Sequence, residues 1–185
     1  MLEKTYYVRH GQTTDNRDGI ISGGGRDVDL SPLGETTAHA LASLVERLEN
    51  ITSICVGPLR RTRRTAELLN SQVQRPVFIV TALKEWDVGD CTGKPESECG
   101  NLLSNWSYDP PGGESRAALR TRAQLAWDEC HAVKLPGDTL IVAHSGLWRA
   151  MSRNLGLPTD ELDNCRILEI RHTGRIWQST LIQDQ

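Results

Sequence analysis

The chain has 185 residues, a formal charge of −3 from 21 Lys and Arg against 24 Asp and Glu, and 38% hydrophobic residues. A chain of this size holds one sizeable core and buries roughly 70% of the surface its unfolded form exposes; with 24% charged residues it is not composed like a disordered protein. The mildly acidic sum argues against nonspecific nucleic-acid binding, and no apolar run approaches the roughly 18 residues of a membrane span. The start, MLEKTYYVRHG, lacks the apolar stretch of a signal peptide. Cys55, Cys91, Cys99, Cys130 and Cys165 are odd in number and form no CxxC pair, which argues against a disulfide framework or structural zinc and favours a reduced, cytoplasmic setting.

TYYV at Thr5 to Val8 reads as a short buried strand that runs directly into Arg9, His10 and Gly11. A polar loop with three glycines, Gly23 to Gly25, follows. Ser31 is a good N-cap and Pro32 a good first residue for the next helix, whose apolar stripe reads as Leu33, Thr37, Leu41, Leu44 and Leu48. SICV at Ser53 to Val56 predicts a strand, Leu59 to Leu69 a helix, and PVFIV at Pro76 to Val80 a third strand. The segment from Ala82 to Glu114 has no clean period and is long for a plain connection, so it is expected to be a functional loop or small cap over about 82–114. Ser115 caps a predicted helix to about His131, with Leu119, Ala123, Ala126 and Cys130 on one face. TLIVA at Thr139 to Ala143 predicts a fourth strand ending in His144. Leu147, Met151 and Leu155 mark a helix closed by Gly156 and Pro158, and Ile167–Ile170 with Ile176–Leu181 flank a hairpin turn at Thr173-Gly174. Strands alternating with helices point to an α/β sandwich, read as a single domain over 1–185.

Two of the five histidines share a placement. His10 and His144 each follow an apolar strand and precede a glycine-containing turn, the edge of an open α/β sheet where sites form. A neutral imidazole is a good nucleophile, and a carbonyl on one ring nitrogen would leave the other free to attack. Arg9 offers a forked donor set for phosphate oxygens, and Gly11 permits close backbone approach. GPLRRTRRTAE, Gly57 to Glu67, packs four arginines into 60–64. They could form a solvated basic face, yet the first follow a strand, so at least one, Arg61 on a face with Thr65, can turn into the cleft. Glu85 in LKEWDVGD is a candidate general acid, with burial against Trp86 expected to raise its pKa; Asp87 and Asp90 are its rivals. GGES, Gly112 to Ser115, could present backbone donors to an anion or be only a capping turn. His39, His131 and His172 read as structural or surface residues, and Trp86 and Trp106 as candidate pocket walls.

RHGQTTDN (Arg9–Asn16), DLSPLGETTAHALA, PLRRTRRTAE, LKEWDVGDCTG, PPGGES and TLIVAHSG occur in that order over nearly the whole chain. Together they resemble the histidine phosphatase superfamily, also called phosphoglycerate mutase-like, in its phosphatase branch. The departures are Gly57 where Ser is frequent, Thr62 for Ala, Ser145 for Gly, and Asp90-Cys91-Thr92-Gly93 in place of an aromatic-Glu-Gly pattern.

The resemblance implies a three-layer α/β/α sandwich with a central, mostly parallel sheet. It implies a metal-independent and cofactor-free phosphomonoesterase, with His10 as the nucleophile forming a phosphohistidine. Arg9, Asn16, Arg61 and His144 would hold the phosphate, arginines and an imidazolium supplying the positive charge, and Glu85 would be the acid. Thr13, Trp86, Trp106 and Ser145 are expected around the pocket. The expected partner is a small-molecule phosphate monoester, without nucleic acid or membrane, and a homodimer is compatible with this reading. The alternatives are a phosphoglycerate mutase, a phosphoprotein phosphatase and a non-catalytic phospholigand-binding domain on the same fold. Only 27 positions separate Glu85 from Gly112, which disfavours the mutase, since such enzymes have a longer insertion there.

Overall fold

The computed structural model describes residues 4–48, 50–133 and 135–182. Its elements run β1 (Thr5–Arg9), α1 (Thr14–Arg17), α2 (Pro32–Arg47), β2 (Ile51–Val56), α3 (Arg60–Leu69), β3 (Val77–Ile79), α4 (Glu96–Ser104), α5 (Arg116–Ala132), β4 (Asp138–Ala143), α6 (Ser145–Leu155), β5 (Ile167–His172) and β6 (Trp177–Ile182). The six strands form one sheet in the order β3-β2-β4-β1-β5-β6. The first four are mutually parallel, and β5 and β6 run antiparallel at one edge.

The period-2 alternation of the central strands separates two cores. Tyr6, Val8, Ile54, Val56, Leu140 and Val142 face α2 and α3. Tyr7, Cys55, Ile141 and Ala143 face the other way, into a core built with Leu119, Ala123, Ala126 and Cys130 of α5 and Leu147 and Met151 of α6. Helices therefore cover both faces of the sheet, giving the expected α/β/α layering. The hairpin at Thr173-Gly174 joins β5 to β6 as anticipated.

Three expectations change. The apolar stripe assigned to α2 is its buried face only in part: Leu44 is buried and Leu41 and Leu48 pack partly buried against the core, but Leu33 is 60% exposed and Thr37 is exposed, while Gly34, Ala38, Ala42 and Val45 are buried beside it. Small residues are needed there because α2 enters against the loop after β1; a Cβ on Gly34 would stand 2.0 Å from the Gln12 carbonyl oxygen. The third strand, expected over Pro76 to Val80, is only Val77–Ile79, exposed at the sheet edge. Within 82–114, where no period is visible, nine residues form α4. That helix has only Cys99 buried, so little apolar spacing marks it.

Candidate active site

Strands β1 and β4 are neighbours, with Arg9 paired to Ala143 at their common C-terminal end. The next residue of each chain segment is a histidine, and His10 N–H donates to the Ala143 carbonyl at 3.0 Å. Register alone thus brings His10 and His144 together, with ring centroids 5.1 Å apart in an edge-to-face arrangement.

His10 is buried, and its Nδ1 lies 2.8 Å from the Gly11 carbonyl oxygen. A carbonyl can only accept, so Nδ1 carries the proton and Nε2 keeps its lone pair. Burial, then the charges of Arg61 and Arg9, push the His10 pKa well below the ordinary histidine value of 6.5. His144 is fully buried at the N-cap of α6, and the same causes, joined by His10, lower its pKa. Both imidazoles are therefore neutral at pH 7 in the free protein. The standing positive charge at this edge in the free protein comes from Arg9 and Arg61.

Neither His144 ring nitrogen has a hydrogen-bond partner among the described residues, and neither do the buried Arg9 Nε and Ser145 Oγ. Buried polar atoms are seldom left so, and this edge of the sheet concentrates four. One sequence departure bears on it: a Cβ at Gly57 would stand 3.5 Å from His144 Nε2. A serine there would place a hydroxyl beside the imidazole, and this chain lacks it.

Arg61, in the first turn of α3, is 2% exposed and points away from its basic neighbours. Its two terminal nitrogens donate to the carbonyls of Arg26 and Gly23, each at 2.9 Å, so the glycine-rich loop orients the guanidinium. The other arginines of the cluster follow the solvated alternative, Arg60 pairing with Asp29 at 2.9 Å and Arg64 with Glu35 at 2.7 Å. Arg9 is anchored by a 2.8 Å bond to the Leu162 carbonyl. Asn16 Oδ1 accepts from Thr13 N–H at 3.2 Å, which leaves its amide nitrogen for a ligand oxygen.

Glu85 is half-buried and lies against the start of α6. Its carboxylate accepts backbone N–H bonds from Gly146 (3.1 Å), Leu147 (2.9 Å) and Trp86 (2.8 Å). The surroundings are polar, therefore, rather than the apolar pocket expected from Trp86 alone. Gly146 is required for this approach, since a Cβ there would stand 2.7 Å from Glu85 Oε1. Asp87 and Asp90 are exposed and lie outside the cavity lining. GGES is the capping turn: Ser115 Oγ accepts from Ala118 N–H at 3.2 Å, and the Glu114 carboxylate pairs with Arg122 at 2.6 Å.

Arg9, His10, Asn16, Arg61, Glu85, Trp86 and Ser145 all line one cavity of about 340 Å³ at this edge. His144, Thr13 and Trp106 do not line it; His144 is fully buried, its ring 5.1 Å from that of His10. Thr13 is fully buried as the N-cap of α1, its hydroxyl accepting from Asn16 N–H at 3.0 Å. Trp106 lies behind the wall as a platform for arginines: Arg153 sits 3.9 Å above its ring and Arg116 4.3 Å.

Residues 5–185 match the family described as histidine phosphatase superfamily (branch 1). The chain belongs to the histidine phosphatase superfamily. It is 30% identical to the probable phosphoglycerate mutase GpmB of Escherichia coli, covering 94% of this chain and 87% of that one. Among solved structures it resembles a mycobacterial glucosyl-3-phosphoglycerate phosphatase complexed with VO3 (25% identity, TM-score 0.84, 99% and 100% of the two chains). It also shares its fold with a structure described as mycobacterial hydrolase 1 (24% identity, TM-score 0.86, all of both chains). The chain is thus an enzyme of the histidine phosphatase type, and the phosphoglycerate mutase-like fold expected from its motifs is the fold observed.

In this member of the superfamily, several residues at the cavity or supporting its Glu85 segment escaped sequence reasoning. Arg122 bonds the carbonyls of Ala82 (2.9 Å) and Lys84 (2.5 Å), holding the Glu85 segment in place. Asn164 donates to the His10 carbonyl at 2.9 Å. Arg116, Arg149, Glu96 and Glu161 line the cavity. Of these only Arg149 carried a usable signal: with Arg153 it makes an i, i+4 basic pair on the helix that follows His144. Among the described residues no group of three or more His, Cys, Asp and Glu could hold a metal ion, and no helix is long and apolar enough to cross a membrane.

Proposed function

We propose that the protein is a phosphomonoesterase working through a phosphohistidine on His10. The observation that carries this reading is the His10 ring: Nδ1 is tied to the Gly11 carbonyl and Nε2 is free beside Arg9, Arg61 and His144. In the first step Nε2 attacks phosphorus in line and the P–O bond to the alcohol breaks. Glu85 gives its proton to the departing oxygen. Arg9, Arg61 and the Asn16 amide hold the phosphoryl oxygens and offset the charge developing on them. The arriving dianion favours protonation of His144, which then adds a donor. In the second step a water attacks phosphorus, Glu85 accepts its proton, the P–N bond breaks and inorganic phosphate leaves. The reading uses no metal or cofactor and places the enzyme in the cytoplasm.

A second reading, phosphoryl transfer back to an organic acceptor, draws support from the similarity to a probable phosphoglycerate mutase. Hydrolysis is favoured because the segment between Glu85 and Gly112 is short, giving little structure to exclude water while an intermediate reorients. The deciding experiment is rapid quench with a radiolabelled phosphate ester. Acid-labile, base-stable label on wild-type protein, and none on His10→Ala together with loss of turnover, is the expected result. Near wild-type turnover by His10→Ala would overturn the reading. Label appearing in inorganic phosphate indicates hydrolysis; label passing to an added hydroxy acid indicates the mutase reaction. Activity should survive exhaustive chelation, and loss in EDTA restored only by a divalent ion would reject the metal-free scheme.

A further inference from the structure

A hydrogen bond to one ring nitrogen ordinarily fixes a histidine, and neither His144 nitrogen has one among the described residues. The aim of this ring is therefore set by its backbone and by packing. The side chain that meets that backbone is Tyr7, a residue with no part in the scheme above. Tyr7 lies on the face of β1 turned toward α5 and α6 and is fully buried. Its hydroxyl donates to the His144 carbonyl at 2.8 Å and accepts from the His144 N–H at 3.2 Å. One oxygen thus holds both polar backbone groups of one residue.

A purely structural role explains part of this. Buried phenols usually find a partner, and the Tyr7 ring packs against Trp148 of α6 with centroids 4.9 Å apart. That packing needs no hydroxyl, and it does not explain where the two bonds fall. The β1–β4 ladder ends at Ala143, whose carbonyl takes the His10 N–H at 3.0 Å. The His144 N–H lies one residue beyond, and Tyr7 supplies its acceptor. The His144 carbonyl also accepts the first intrahelical bond of α6, from Trp148 N–H at 3.0 Å. His144 is thereby held in the extended conformation, φ −136° and ψ 160°, at which strand turns into helix. Burial, and then the Glu85 charge, keep the phenol well above its ordinary pKa of 10, so the donor persists at neutral pH.

We infer that Tyr7 is a positioning residue for the reaction: its hydroxyl fixes the backbone of His144 and so keeps the unpartnered imidazole aimed at the phosphoryl group beside His10. This rests on the reading of His10, Arg9, Arg61 and His144 as the phosphate site. The two imidazole centroids are 5.1 Å apart, so a small rotation at His144 shifts its nitrogens against the oxygens they are to meet. Tyr7 touches no reacting atom and acts only through His144. Phenylalanine would fill most of the same core space and leave the His144 N–H without its acceptor. Glu85 holds the amides of Gly146 and Leu147 independently, so the start of α6 keeps a second restraint when the hydroxyl is lost.

The test is a double-mutant cycle on the whole protein, read as kcat/KM for an aryl phosphate and as affinity for inorganic phosphate by calorimetry. Tyr7→Phe keeps the ring and removes only the oxygen. It should lower kcat/KM about ten- to 100-fold, the range of a small misplacement, and weaken phosphate binding in the same direction. In a His144→Ala background no imidazole is left to aim, so the same change should cost no more than about twofold, the scatter between independent sites. Tyr7→4-fluorophenylalanine fills the space of the oxygen without donating and gives the same result if Tyr7→Phe disturbs the core. Wild-type kcat/KM in both Tyr7 variants would overturn the inference. So would an equal loss with and without His144, the result a merely structural tyrosine gives. His144→Ala by itself reports on the underlying reading. Unchanged turnover and phosphate affinity there remove His144 from the phosphate site, and the inference with it. Loss in His144→Ala without coupling to Tyr7 removes only the role of Tyr7. The calorimetric cycle needs no turnover, so it stands even if the phosphatase reading fails.

Discussion

Glu85 differs from its acidic neighbours in what its oxygens touch. Three backbone N–H groups hold it at the cavity, while Asp87 spends its carboxylate on Gly89 N–H at 3.0 Å. Glu85→Gln keeps the shape but cannot deliver a proton. It should cost roughly 100-fold or more in turnover of an alkyl phosphate. An aryl phosphate leaves as a weak base and needs little protonation, so phosphoryl transfer to His10 should suffer much less. Hydrolysis of the phosphohistidine would still lack its base, giving a burst of aryl alcohol followed by slow turnover. Pre-steady-state release from both substrates, in Glu85→Gln, Asp87→Asn and Asp90→Asn, checks this. The acid is misassigned if an aspartate variant shows the leaving-group-selective defect and Glu85→Gln does not.

At the scale of elements, two helix starts are fitted to the site by glycine for different reasons. Gly146 in the first turn of α6 leaves room for a side-chain end, the Glu85 carboxylate. Gly146→Ala should therefore leave stability unchanged or raise it by up to about 1 kcal/mol through helix propensity. The same variant should lower turnover about tenfold or more by moving the acid, a loss in the usual span of general acid catalysis. Gly34 in α2 meets backbone instead, with the Gln12 carbonyl carbon and amide nitrogen both 2.9 Å from an added Cβ. Backbone cannot swing aside, so Gly34→Ala should destabilise by about 1–3 kcal/mol or more, as overpacking does. Urea melts and steady-state rates on the two variants separate the cases. Loss of stability in Gly146→Ala, or none in Gly34→Ala, contradicts this account.

For the whole molecule, the site sets a pH dependence of folding. His10 and His144 are buried neutral, with folded pKa values lowered from the ordinary 6.5. The unfolded chain binds protons below that value while the folded chain does not. Stability is therefore full above pH 6.5 and falls as the pH drops toward the folded pKa values, by up to about 1.4 kcal/mol per pH unit for each histidine. Asp15, held below the ordinary 3.8 chiefly by its bond to Arg26, adds a loss of the same sign but in a lower window. Urea midpoints between pH 8 and pH 5 should decline below about 6.5. His144→Gln should flatten that decline, and a wild-type midpoint constant over this range would count against neutral burial.

Strand ends, caps and most helix faces were legible in the sequence because they are local. Ser31 and Ser115 cap their helices, and Leu119, Ala123, Ala126 and Cys130 form one buried face, as spacing alone predicts. The two strand-end histidines and the isolated inward arginine, Arg61, were also visible, because each follows an apolar strand. On α2 the stripe held at Leu41, Leu44 and Leu48, but Gly34 at the helix start escaped because closeness to Gln12 selects a small residue there, and no hydrophobic pattern records a backbone approach. Helix α4 escaped because it buries almost nothing. The placing of Thr13 and Trp106 around the pocket failed because neighbours in sequence can lie behind a wall rather than in it. Only the tertiary structure decided which atoms of the site are left without partners. The meeting of His10 and His144 depends on β4 pairing with β1, and the gathering of Arg116 and Arg149 depends on α5 and α6 packing around the tryptophans. Long-range packing sets those contacts, and no local spacing encodes them.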